Sequence, residues 1–216
     1  GIPFVVEEAL EGRPLDELLS GFPQGVPLGL AIHVLLPLVE ALALAHEQGV
    51  VHGAIDSKCV CWTGNPTAPV PQWLELGESH ADRRESDACY RAPELAPGAS
   101  ATKRADVFAV GVLAYRMLSG ELPFRAGNRR ALPLDEVAPQ LPAAWTKLTG
   151  ACLEVDPRRR YRDAVVLLEF MRTCARESSS WPSLDRPLAR SSAPSSGVYR
   201  EHKAPASLRA RSQRAR

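Results

Sequence analysis

The sequence has no disulfide framework. Its five cysteines are odd in number and fall in no paired spacing, which excludes a small cystine-stapled scaffold. Cys59 and Cys61 alternate along an expected strand and so point to opposite faces of it. That placement speaks against metal ligation, and reduced thiols in a cytoplasmic protein are the expectation. No signal segment and no apolar run of about 18 residues or more is recognisable, so no membrane span is expected. No internal repeat is evident. A strong net charge is missing too, with 26 Lys and Arg against 25 Asp and Glu.

The even balance hides an asymmetry. From Ser178 onward there are eight basic residues and two acidic ones, a net of +6. The preceding 177 residues hold the other 18 basic and 23 acidic residues, a net of −5. A mildly acidic globule, residues 1–177, is therefore expected to carry a disordered basic tail, residues 178–216, rich in Ser, Pro, Ala and Arg. The tail has few aromatics beyond Trp181 and Tyr199 and no folded frame. A flexible linker or a weak contact with an anionic surface is expected there, and no specific nucleic-acid partner.

What the chain does have is one helix apolar all round. In RADVFAVGVLAYRMLSGELPF, Arg104 to Phe124, the residues from Val107 to Leu118 cover every side of a helical wheel and only Arg116 is charged. Such a helix is buried on all sides, and it is too short to span a bilayer. Asp106 falls in the first turn, where a carboxylate suits the free amides and the dipole. Gly120 and Pro123 stop the helix.

Around this core the remaining elements follow in order. Phe4 to Leu10 reads as a strand, Glu11-Gly12-Arg13-Pro14 as a turn and Leu15 to Leu19 as a short helix. Leu28 to Gln48 is a long apolar helix bent at Pro37 and capped by Gly49; its His33 and His46 are expected to be structural. Val50-Val51-His52 and Val60-Cys61-Trp62 read as short strands. Gln72 to Leu76 is expected to pair with the latter across a loop from Thr63 to Val70. Gly77 to Arg91 is a polar surface loop, in which Ser79 and Ser86 are ordinary exposed serines. Residues 125–140 look irregular, and two amphipathic helices follow over Ala143–Leu153 and Arg162–Cys174. Because the chain starts on a strand with no preceding turn, further sequence is expected upstream of Gly1 or on another segment.

Five pieces stand in a telling order: ALALAHEQGVVHGAIDSKCVCW, WLELG, YRAPE, RADVFAVGVLAYRMLSGELPF and EVDPRRRYRDA. Together they resemble the C-terminal lobe of the eukaryotic-type serine/threonine protein kinases, most of all the bacterial ones, from the strand Phe4–Gly12 to about Cys174. The resemblance implies a mainly α fold with a small β-hairpin region and no N-terminal lobe. It also implies scaffold roles. Glu94 and Arg160 would form a buried ion pair, Asp106 would hold the backbone around His52, and His52 and Leu76 would stack in an apolar column on the core helix. Glu8 and Leu10 are the hinge candidates for a nucleotide, with Glu7 at the gatekeeper position as a solvent-facing carboxylate.

Phosphoryl transfer is mostly positioning and charge neutralisation, so it needs a defined set of charged groups. The family's catalytic loop reads H-R-D-x-K-P-x-N, and here the stretch is His52-Gly53-Ala54-Ile55-Asp56-Ser57-Lys58-Cys59. By this resemblance Ala54 takes the place of the proton-accepting Asp, and a methyl group accepts no proton. Gly53 replaces an arginine. Asp56 replaces the phosphate-holding lysine, and Cys59 replaces the magnesium-binding Asn, where a thiol suits so hard an ion poorly. Glu75 stands at the metal-binding Asp with one methylene too many. Asp87 stands where a threonine contacts the catalytic pair. Residues 124–142 are too proline-broken for the usual docking helix.

The expectation is a catalytically inactive kinase-like domain that binds another signalling protein or a genuine kinase, with no cofactor and no bound metal. Two alternatives stay open at this point. One is a divergent serine/threonine kinase, or a fragment of one, using ATP and magnesium; the other is nucleotide binding without transfer.

Overall fold

The apolar stretch around Val107–Leu118 forms α3 (Lys103–Ser119), and in the computed structural model it is buried on every side, with only Arg116 half-exposed along its last three turns. The model describes residues 12–65, 68–73, 85–96, 99–124 and 130–178. All of them lie in the first of two compact units, residues 1–186 and 187–216. The expected strand 4–10, Glu75, Leu76 and residues 179–216 fall outside the described residues, as do the side chains of Ser86 and Asp87.

α3 begins at Thr102, whose hydroxyl accepts the Ala105 amide at 3.2 Å. The side-chain cap is thus Thr102, and Asp106 stands in the first turn, as expected. Its carboxylate is 1% exposed and turns away from the helix axis toward another loop. The helix ends at Gly120, which takes the left-handed conformation (φ 78°) that a side chain would strain. Each fully buried Val, Leu, Phe or Met on α3 contributes about 1.5–3 kcal/mol of transfer free energy, an upper bound.

Around α3 pack α1 (Leu15–Ser20), α2 (Leu28–Glu47), α4 (Leu134–Val137), α5 (Ala143–Cys152) and α6 (Ala164–Glu177). α2 lies mainly on α6, and α3 mainly on α5. The second of these contacts is close because position 111 is glycine. A Cβ there would meet the Cys152 Cβ at 2.5 Å. α6 starts at Asp163, which accepts the Val166 amide at 3.0 Å. It also runs one turn past the expected end at Cys174, to a buried Ser178 that accepts the Trp145 indole N–H at 3.0 Å.

By length and composition α2 is apolar enough to cross a bilayer, although no uninterrupted run of that size was evident in the sequence. Glu40 and two histidines interrupt the run, and half of the stretch is buried inside the fold. α2 passes through Pro37 without a break.

The sheet is small, with β1 (Arg13–Pro14), β2 (Val60–Asn65) and β3 (Ala68–Trp73) antiparallel in that order. β2 pairs with β3 from Val60↔Trp73 to Asn65↔Ala68. The expected loop from Thr63 to Val70 is therefore mostly strand. Pro69 and Pro71 of β3 are tolerated because, among the described residues, β3 pairs on one side only, so a missing N–H on its other side costs no ladder bond. Val50–His52 is not a strand: the amide of His52 goes to a side chain instead of a ladder. A 3-10 segment, Glu85–Tyr90, occupies part of the expected surface loop and buries Tyr90. The irregular region after Phe124 includes the four-residue α4, anchored by a buried Leu134.

Candidate functional site

The loop from Val51 to Cys59 is organised by acceptors beneath it. Asp106 Oδ2 accepts the His52 amide at 2.8 Å and Asp106 Oδ1 accepts the Gly53 amide at 2.8 Å. Neither amide could find a strand partner there, so one carboxylate from the start of α3 satisfies both. Gly53 has φ +78°, and a Cβ on it would sit 3.1 Å from the Ala101 Cβ. An arginine at this position would be strained in its backbone before any question of charge.

The same Asp106 binds His46 on α2, Nε2 to Oδ2 at 3.0 Å. The other ring nitrogen, Nδ1, accepts the Ala164 amide at the start of α6 at 3.0 Å. His46 is fully buried and ties α2, α3 and α6 to one point. An Nδ1 that accepts a hydrogen bond carries no proton, so Nε2–H donates to the carboxylate.

The loop's own side chains close it further. Asp56 Oδ1 accepts the amides of Lys58 and Cys59, each at 2.8 Å. The Cys59 thiol lies 3.1 Å from both the Asp56 carbonyl oxygen and the Asp56 amide. Asp56 is 4% exposed. Its Oδ1 thus caps a local turn.

A second polar cluster went unread in the sequence. The Arg116 Nη1 donates to Asp16 Oδ1 at 3.0 Å, to Ser57 Oγ at 2.9 Å and to the Tyr90 hydroxyl at 3.0 Å. Ser57 Oγ in turn donates to Asp16 Oδ1 at 2.5 Å. Burial alone pulls the Arg116 pKa down, but Tyr90 and Asp16 more than offset it and the guanidinium is held above its ordinary value. Burial pushes the Tyr90 phenol up, against its bonds to Ser57 and Arg116. One signal pointed here: Arg116 is the single charge in an otherwise apolar stretch, and a buried charge needs partners.

The third constellation joins the start of α3 to the segment before α6. Arg160 Nη1 and Nη2 donate to Glu94 Oε1 and Oε2, both at 2.8 Å, in a bidentate fork. Its remaining donors reach the Glu154, Arg104 and Val155 carbonyls. The guanidinium also lies 4.7 Å from the centroid of the Phe108 ring. Of the residues singled out in the sequence, His52, Asp56 and Cys59 share one loop held from α3 by Asp106, and Glu94 and Arg160 meet in another site. Glu75, Leu76, Glu8 and Leu10 lie outside the described residues.

No protein-family model matches the chain. By sequence it is 30% identical over 207 residues to the serine/threonine-protein kinase Pkn1 of Myxococcus xanthus, with 82% of this chain and 29% of that protein covered. It is 28% identical over 217 residues to the serine/threonine-protein kinase PknL of Mycobacterium tuberculosis, covering 92% of this chain and 54% of that protein. The chain thus spans about half the length, or less, of these relatives. By structure it is similar to the Mycobacterium tuberculosis PknI kinase domain, with TM-score 0.64, 21% identity, and 77% of this chain and 64% of that one covered. It is also similar to the Rad53 kinase domain, with TM-score 0.59 and 18% identity over 76% of this chain and 66% of that one. The fold is a protein-kinase-like C-terminal lobe, mostly helical with a small sheet.

Proposed function

We propose, for a chain that is homologous to the bacterial serine/threonine protein kinases and carries part of their fold, a role as a catalytically inactive kinase-like domain that binds another signalling protein or a genuine kinase. One observation carries this reading: Asp56 Oδ1 accepts the Lys58 and Cys59 amides within its own turn, and the residue at position 54 is alanine. Transfer of a phosphoryl group to a hydroxyl needs a base at the hydroxyl, cations on the phosphate and hard ligands for magnesium. Ala54 offers no base. Asp56 brings negative charge where a cation is needed. Cys59 offers a thiol already engaged within its own turn. Meanwhile Asp106, His46, Glu94 and Arg160 keep the frame together, and a frame kept in order serves binding.

The relatives are named as serine/threonine-protein kinases, which supports a second reading. There the chain is a divergent kinase, or a fragment of one, that takes ATP with magnesium and places it at Glu8 and Leu10. The two readings separate by thermal unfolding of the purified chain with and without ATP and magnesium. A ligand at a hundred times its Kd adds about 2.7 kcal/mol. No change in Tm at millimolar ATP and magnesium counts against the kinase reading and against nucleotide binding without transfer, and a magnesium-dependent rise favours one of these two, which a phosphate-transfer assay then tells apart.

A further inference from the structure

We propose that the exposed face of α6 at Phe170 is a docking surface for the segment of this chain that follows α6, with Trp181 and Leu184 laid across it as an extended strap. Four large apolar side chains are exposed among the described residues: Leu44, Val50, Val155 and Phe170. Single exposed apolar residues are ordinary, but Phe170 differs from the other three in chemistry and in position.

The chemistry is aromatic. Phe170 is 51% exposed, and its ring centroid lies 5.0 Å from that of Tyr161 with the planes tilted by 38°. Val166, one turn back on the same face, is half-buried. Cys174, one turn on, is where α6 touches α5, its thiol 3.6 Å from the Ala144 carbonyl oxygen. The position is close to where the chain leaves the helix. Ser178 stands eight residues beyond Phe170, about 12 Å along the axis. It is buried, and its Oγ accepts the Trp145 indole N–H at 3.0 Å and donates to the Cys174 carbonyl at 2.7 Å. The departing chain therefore starts from a fixed point on the α5 side of α6.

The segment that follows, Ser-Ser-Trp-Pro-Ser-Leu-Asp-Arg, suits this surface. Pro182 bars a helix and holds Trp181 extended. Asp185 and Arg186 balance each other, and the other seven basic residues of the tail come after them. In an extended chain of three residues per turn Trp181 and Leu184 share one face, about 9 Å apart. A reversal over Ser179 and Ser180 sets Trp181 near the Cys174 turn and Leu184 level with Phe170, since six such residues reach about 19 Å. Residues up to 186 belong to the same compact unit as α6. Aromatic surfaces accept extended proline-containing segments, and a short tether keeps this one at high local concentration.

The test uses the full chain with 5-fluorotryptophan at its four tryptophans, read by fluorine NMR. The Trp181 signal is identified by its loss in Trp181→Phe. In the native protein it is expected to be displaced from its position in urea-unfolded protein, and Phe170→Ala returns it to that position. The signal of the fully buried Trp145 stays in place in Phe170→Ala and shows that the variant folds. A Trp181 signal at its unfolded position in the native protein overturns the strap. A displaced signal that Phe170→Ala does not move overturns its location. A displacement lost on dilution assigns the surface to a second copy of the chain and overturns the intramolecular contact. No nucleotide enters the experiment, so its result is independent of the catalytic reading.

Discussion

The Asp56 carboxylate accepts the amide of Cys59 at 2.8 Å, three residues on in the same loop. The Asp56 carboxylate and the Cys59 amide therefore satisfy each other within one turn.

From this contact follows a ranking of substitutions at position 56. Asp56→Asn keeps an oxygen for the Lys58 and Cys59 amides and is expected to leave stability within about 0.5 kcal/mol, whereas Asp56→Ala orphans both and costs about 1–3 kcal/mol. Asp56→Lys, the change toward the kinase pattern, is expected to be at least as costly as Ala. Urea denaturation measures all three. An Asp56→Lys protein as stable as the original contradicts the assigned role.

The Glu94–Arg160 fork predicts an asymmetry. The Arg160 side chain is fully buried and the Glu94 side chain is 24% exposed, so removing Glu94 strands a buried cation. Glu94→Ala is expected to cost about 3–5 kcal/mol. Arg160→Lys is expected to cost stability as well, since an ammonium cannot form the fork and reach three carbonyls. Chemical denaturation decides, and a loss under about 1 kcal/mol for Glu94→Ala contradicts the reading.

The thiols are expected to differ in reactivity. Cys89 is exposed, while Cys59, Cys61, Cys152 and Cys174 are buried. Burial pushes the Cys61, Cys152 and Cys174 thiols above their ordinary pKa, Cys152 most strongly. Because the thiolate is the nucleophile, iodoacetamide at pH 8 is expected to label Cys89 at least tenfold faster than Cys152. Mass spectrometry of timed digests reads this, and early labelling of Cys152 in folded protein would refute it.

Asp156 gives a pH signature. The Arg158 side chain and amide hold its carboxyl down to about 2, from an ordinary 3.8. A depressed carboxyl stabilises the fold above the unfolded value, and that contribution is lost as pH falls from about 4 through about 2. The group is solvent-exposed, so the effect on stability is small. Carbon-detected NMR titration is expected to place its midpoint well below the unfolded value, and a midpoint at 3.8 would remove the ion pair.

The frame was readable in the sequence because burial and punctuation act locally. An apolar wheel from Val107 to Leu118 demands burial, and Gly49 and Gly120 mark helix ends by conformations that other residues resist. The strand at Val50–His52 was misread because its pattern is apolar, while the Val50 amide donates to the Ala45 carbonyl and the His52 amide to Asp106, 54 residues away. The Thr63–Val70 strands were misread because prolines look like loop until the edge position is known. His46, Arg116 and Ser57 have partners separated from them by tens of residues, and no local pattern records such pairs. At Asp56 the replacement itself was visible, but only coordinates reveal where the carboxylate goes.

The most direct test is phosphotransfer itself. The purified protein is incubated with radiolabelled ATP, magnesium and either itself or a generic basic protein substrate. Phosphate incorporation at the no-enzyme background is the expected result, unchanged by Glu75→Ala. Incorporation above background that disappears in Glu75→Ala would contradict the account.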